Sequence, residues 1–250
     1  MPHRFYVTKL PESGSVTIDA AEAHHIIHVL RGSAGDVVEL FDGCGLVVSA
    51  EITSVRRRDV ELRILAARCE ERPARETILG TAVPKGDRFD WLIEKATELG
   101  VTKIVPLVTA RSVVDPREGK LDKLRQTVIA ACKQSGRNHL LELSPVMSWS
   151  DFVRTEMTNR IAFIAHQATA DSASTDLVPA DSAVAQPFPI SPHQTIVFAV
   201  GPEGGFTDAE VALAVNAGAK PVSLGPLVLR IETAALALAA RFAFPFPLGG

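Results

Sequence analysis

The apolar residues of this chain follow two different rhythms, which change over near residue 70. Before it, short runs alternate or meet across tight turns. "DVVELFDG" ends in Asp42-Gly43, a turn dipeptide, and "GLVVSAEITSV" follows at once, so the pair predicts a β-hairpin. "RDVELRILAA" gives a third strand, with Val60, Leu62 and Ile64 on one side and Glu61 and Arg63 on the other. Upstream, "DAAEAHHIIHVLRG" has helical spacing: Ala23, Ile26, Ile27 and Leu30 share a face, and Gly32 is placed to cap the end. Three close strands with tight turns predict a small barrel or sandwich.

"CEERPARET" is charged, holds a proline and has no apolar period, and is read as a domain boundary. The expected domains are residues 1–72 and 73–250. Beyond the boundary, continuous apolar strands ("TILGTAV", "KIVPLV", "RIAFIAH", "TIVFAV", "PVSL") alternate with helices. In "DRFDWLIEKATELG", Phe89, Leu92, Ile93, Ala96 and Leu99 form one stripe, with Asp87 as N-cap and Gly100 just past the end. This alternation predicts an α/β domain with a mainly parallel sheet whose strands are covered on both faces. Residues 167–194, rich in Ala, Ser, Asp and Pro, read as a long surface loop.

Composition narrows the class little. With 46% hydrophobic and 22% charged residues and a net charge of −3, the chain has no global basic field. Three scattered cysteines argue for a reducing compartment, and no run is long enough for a membrane span, so a cytoplasmic protein is expected. "HHIIH" spaces His24 and His28 at i, i+4, yet no third ligand accompanies them, so no metal is expected.

Chemistry concentrates at the C-terminal side. Gly201, Gly204 and Gly205 follow "TIVFAV" directly, where open α/β sheets bind ligands, and Thr207 with Glu210 forms a capping box at the next helix. The pattern G-P-E-G-G matches neither dinucleotide nor P-loop fingerprints. Glu203 suits a ligand with a cationic centre better than a pyrophosphate. A second turn, Leu224-Gly225-Pro226, precedes Arg230, Glu232 and an alanine-rich helix that Thr233 is placed to cap. Read bottom-up, the two turns converge on one ligand, or each is only a tight connection.

"GPEGGFTDAEVALAVNAGAKPVSLGPLVLRIETAALALAA" resembles the C-terminal signature of SPOUT-superfamily RNA methyltransferases, and more narrowly the RsmE family, which methylates N3 of a uridine in small-subunit ribosomal RNA. "HHIIHVLRGSAGDVVELFDG", "KGDRFDWLIEKATELGVTKIVPLVTARSVV" and "AACKQSGRNHLLELSPV" are similar to its other blocks, in the same order. Ile231 stands where the family usually has threonine. The resemblance implies a PUA-like β-barrel for RNA contact, then a SPOUT-type trefoil-knotted α/β domain with a parallel sheet. It implies S-adenosylmethionine as cofactor, 16S rRNA of the 30S subunit as substrate, and a homodimer.

On that basis the cofactor cradle is expected at Phe198, Val200, Gly201, Pro202, Glu203, Gly204, Leu224, Gly225, Leu229, Arg230 and Thr233. Arg230 is the candidate for stabilising the uracil oxygens, and Glu232 either holds Arg230 or acts as base. "KQSGRN" adds Gln134, Gly136, Arg137 and Asn138 as polar candidates for the target pocket. For RNA contact the candidates are Arg4, Lys9, Arg31, Arg56, Arg57, Arg58 and Lys133. The first 73 residues hold nine Lys/Arg against eleven Asp/Glu, whereas Arg117 to His139 hold six against two. Two other readings stay open: an RNA-binding module with a vestigial pocket, and a nucleotide-dependent oxidoreductase or kinase.

Overall fold

The computed structural model describes residues 3–18, 20–113, 121–166, 178–179 and 193–243. Arg117, Glu118 and Lys120 of the basic stretch, and residues 167–177 and 180–192 of the expected surface loop, lie outside the described residues. The chain divides into two units, Met1–Arg72 with Ile129–Leu140, and Pro73–Val128 with Leu141–Gly250.

In the first unit, β1 (Arg4–Tyr6), β2 (Ser15–Ile18), β3 (Val37–Phe41), β4 (Leu46–Val55) and β5 (Val60–Cys69) form one sheet in the order β1-β3-β4-β5-β2. β1 runs parallel to β3, and the other pairs are antiparallel. The β3–β4 turn is built as its residues dictate. Asp42 Oδ1 accepts from the Cys44 and Leu46 amides at 2.7 and 3.1 Å, while Gly43 and Gly45 take φ of 76° and 110°. Leu40 faces Val48 across the ladder, and both are fully buried.

The helical segment between β2 and β3 is α1 (Ala20–His24) continuing as a π-helical turn, His25–Leu30. Its end differs from the expectation. Arg31, not Gly32, takes the left-handed cap conformation, with φ 54°. Gly32 is required for space: a Cβ there would lie 2.9 Å from Ile26 Cγ2 and 3.1 Å from Ile52 Cδ1. The segment Ile129–Leu140 is tied in by Arg4, which donates to Cys132 O at 2.9 Å and to Asn138 Oδ1, while Asn138 donates to Glu70.

The second unit is layered on a parallel sheet. Its strands are β6 (Thr77–Ala82), β7 (Lys103–Val108), β8 (Glu142–Leu143), β9 (Met147–Ser148), β10 (Ile161–Ala165), β11 (Val178–Pro179), β12 (Ile196–Val200) and β13 (Lys220–Ser223). The order is β11-β13-β10-β12-β6-β7-β8, with β9 also beside β7, and every pairing among the described residues is parallel. Every position of β6 and β12 is buried, the reason these strands read as unbroken apolar runs.

The helices of this unit are α2 (Arg88–Glu98), α4 (Trp149–Phe152) continuing as a π-helical turn, Val153–Met157, α5 (Asp208–Asn216) and α6 (Ile231–Phe242), while α3 (Leu121–Ser135) begins in this unit and passes into the first at Ile129. Asp87 takes the N-cap position of α2 without a side-chain hydrogen bond, and Gly100 follows its C-cap with φ 89°. The start of α6 corrects a second expectation. Its N-cap is Arg230, with no side-chain cap bond, and Thr233 lies exposed in the first turn. Burial of Ile231 and Glu232 draws the helix start ahead of the residue whose side chain caps best.

One buried ion cluster gives this unit a pH signature. Glu156 is buried between Lys103, at 2.9 Å, and Arg160. Burial pushes its carboxyl up, but hydrogen bonds from Lys103 and Arg160 outweigh this and hold it below its usual value of 4.5. A carboxylate that is more acidic folded than unfolded stabilises the fold above about pH 4.5, and that contribution is lost as pH falls through the folded value. Glu156→Gln is expected to cost about 2 kcal/mol at pH 7. In urea titrations the gap from wild type should shrink between pH 5 and 3; a gap of constant size would contradict the assignment.

Candidate functional site

The site is set by strand order. β10 lies between β12 and β13, and all three run parallel, so their C-terminal ends share one edge. With neighbouring strands about 5 Å apart, the turns after β12 and β13 begin about 10 Å apart. They line one cavity of about 820 Å³, within the range of small-molecule sites.

The first turn is stiffened from several sides. The Gly205 amide donates to Pro202 O at 2.8 Å, with Gly205 at φ 69°. A Cβ on Gly201 would meet the Phe206 ring at 3.0 Å, and Phe206 is itself buried against Trp149, ring centroids 4.4 Å apart. Arg111 donates to Gly204 O at 2.6 Å, and its Cδ would lie 3.2 Å from a Cβ on Gly204. The capping box between Thr207 and Glu210 is present as the spacing predicts. Glu210 also accepts from the Ala110 amide at 2.8 Å, so one carboxylate fixes the start of α5 and holds the turn that carries Arg111.

The second turn is opened by Gly225, at φ 106°. Leu227 and Val228 follow, 75% and 80% exposed, and then Leu229 leads into α6. Of the expected cradle residues, Val200, Gly201, Pro202, Glu203, Gly204, Leu224, Gly225 and Leu229 line the cavity. Phe198, Arg230 and Thr233 are not among its lining residues. Phe198 is fully buried in β12, its ring 6.3 Å from that of Phe242. Arg230 is exposed between two lining residues, Leu229 and Ile231, and its side chain forms no ion pair among the described residues. Ile231, in the place of the family's usual threonine, presents an apolar surface to the cavity.

Glu232 does not hold Arg230. It is buried, and its Oε1 lies 3.7 Å from Arg88 Nη1 while its Oε2 has no hydrogen-bond partner among the described residues. The glycine bends, a carboxylate at Glu203 and the volume together fit a nucleoside ligand bearing a cationic centre.

The "KQSGRN" residues belong to the first unit. Asn138 is buried on Arg4 and Glu70, Arg137 donates to His139 O at 2.6 Å, burial holds the Arg137 guanidinium below its usual value, and Gln134 is exposed. Among the RNA-contact candidates, three have internal partners: Arg4 with Glu39 at 2.7 Å, Lys133 with Glu22 at 2.8 Å and Arg56 with Glu61 at 2.8 Å. Lys9, Arg31, Arg57 and Arg58 are exposed and form no ion pair among the described residues.

Sequence reasoning missed Arg88, Arg111 and His166. Each follows the C-terminal end of a parallel strand, β6, β7 and β10 respectively. Applying the strand-end rule to every parallel strand, rather than only to those ending in glycine, would have flagged all three.

Comparison with known proteins gives this fold and cleft their class, the RNA methyltransferases. The family of the RNA methyltransferase domain matches residues 70–243, and that of the RNA methyltransferase PUA domain matches residues 18–65. The chain is 32% identical to the ribosomal RNA small subunit methyltransferase E of Bacillus subtilis, over 91% of this chain and 89% of the relative. It is 32% identical to that of Mycobacterium tuberculosis, over 92% and 87%. It superposes with a TM-score of 0.80 on the crystal structure of the Neisseria gonorrhoeae ribosomal RNA small subunit methyltransferase E bound to S-adenosyl methionine, with 31% identity and 96% of each chain covered. The chain belongs to the ribosomal RNA small subunit methyltransferase E family. The sheet of the first unit is its PUA domain, and the parallel sheet carries its SPOUT-type methyltransferase domain. No helix among the described residues is long and apolar enough to cross a membrane.

Proposed function

We propose that this protein methylates N3 of a uridine in 16S rRNA, using S-adenosylmethionine, on the 30S subunit in the cytoplasm. The observation that carries the reading is the single cavity lined by both glycine turns, with Arg230 beside it. A cleft plugged by side chains would favour an RNA-binding module; an open cavity of about 820 Å³ favours the enzyme.

The cofactor supplies a methyl group activated by a sulfonium. The backbones of Gly201–Gly205 and Leu224–Leu229 bind it by close approach, and Glu203 complements its positive charge. Positioning for in-line transfer is the cradle's main contribution. Arg230 stabilises the negative charge that develops on the uracil oxygens as N3 loses its proton. Glu232, whose Oε2 has no hydrogen-bond partner among the described residues, is the candidate base that takes the N3 proton. Lys9, Arg31, Arg57 and Arg58 face rRNA phosphates. The functional assembly is a homodimer in which a second copy covers Leu227 and Val228, apolar side chains otherwise left in water. The methyltransferase domain is the trefoil-knotted form that the resemblance implies.

The test uses purified protein, labelled S-adenosylmethionine and 30S subunits from cells that lack the gene. Label is expected at N3 of one uridine of 16S rRNA. Absence of label, or label on another base, overturns the reading.

A further inference from the structure

One side chain outside the cavity's lining faces two carboxylates, Glu203 of the lining and the buried Glu232. Arg88 opens α2 just after β6, which pairs in parallel with β12, Thr81 beside Val200. The start of α2 therefore shares the sheet edge that carries the first glycine turn. Arg88 Nε donates to Lys85 O at 3.1 Å, which fixes the neck of the guanidinium. Its two terminal nitrogens then point apart: Nη2 lies 3.8 Å from Glu203 Oε1, and Nη1 lies 3.7 Å from Glu232 Oε1. Glu203 belongs to the first turn, and Glu232 to the helix that follows the second.

Pairs of this length on a partly exposed arginine contribute little to stability. Their geometry does something else. A planar fork with a fixed neck sets the separation of two carboxylates, and its charge offsets their mutual repulsion. Because the fork engages Glu232 through Oε1 alone, Oε2 is left as a buried acceptor that a bound donor can satisfy.

We infer that Arg88 is a positioning residue of the methyl-transfer site, holding Glu203 and Glu232 so that the two turns keep the spacing that transfer requires. This rests on the function proposed above. Arg88 touches neither cofactor nor base; it acts through the two carboxylates.

Two measurements on the full chain test it. In the free protein, hydrogen exchange of peptides spanning 201–205 and 224–232 should be at least about fivefold faster in Arg88→Ala, with β6 unchanged. In turnover, Arg88→Ala should lower kcat about thirtyfold, change KM for 30S subunits less than about threefold and leave Tm within about 2 °C. Arg88→Lys should recover only part of kcat, because an ammonium approaches one carboxylate at a time. Combining Arg88→Ala with Glu232→Gln should cost little more than the worse single change. Unchanged exchange at the two turns, kcat within twofold of wild type, or a loss that accompanies global unfolding overturns the inference. A wild-type protein that transfers no methyl, yet whose turns loosen in Arg88→Ala, overturns the proposed function and leaves the clamp standing.

Discussion

Arg230→Ala is expected to lower methyl transfer to 30S subunits at least about a hundredfold, the usual cost of removing a donor aimed at developing charge. The fold should survive, because Arg230 is exposed at the N-cap of α6 and makes no capping bond there. Its guanidinium has no ion pair among the described residues, whereas Arg88 is engaged by two carboxylates. An exposed cation next to a ligand cleft is available for substrate in a way that a paired one is not. Arg230→Lys should restore the charge but only a fraction of the rate, since two uracil oxygens suit a planar fork. Single-turnover kinetics at saturating cofactor, with the thermal midpoint measured alongside, reads this directly. Turnover near wild type in Arg230→Ala would remove the residue from the mechanism.

The second large effect is expected at the bend after β13. Gly225→Val should weaken S-adenosylmethionine binding at least about thirtyfold, through two causes that add. At φ 106° a β-branched residue is strained. A Cβ there meets no atom within 4 Å, and since Gly225 lines the cavity, the new side chain would occupy ligand space. Gly218 separates the two causes. It has φ 95°, also has no atom within 4 Å of a Cβ, and does not line the cavity. Gly218→Val should therefore lower stability similarly and leave cofactor affinity within about threefold of wild type. Equal losses of affinity in both variants would mean that strain alone is responsible.

The parallel α/β unit was legible because burial on both faces makes β6, β10 and β12 continuous apolar runs, and because Thr207 and Glu210 carry a capping box in their spacing. The two glycine turns were legible as bends. That they line one cleft depends on β10 lying between β12 and β13, a non-local arrangement with no local signal. The same holds for Arg88 and for the hydrogen-bonded grouping of Arg4, Asn138 and Glu70, whose members lie 134 and 68 residues apart in sequence. Helix ends misled where tertiary packing outweighed local preference. Gly32 is needed to clear Ile26 and Ile52 rather than to turn left-handed, and buried Ile231 and Glu232 move the start of α6 ahead of Thr233.

Calorimetric titration of the wild-type chain with S-adenosylmethionine asks whether the bends near residues 203 and 225 build one cofactor site. Saturable binding of one ligand per chain, lost in Gly225→Val and kept in Gly218→Val, is the predicted result. No saturable binding to a folded wild-type chain, or binding that Gly225→Val leaves intact, would contradict it.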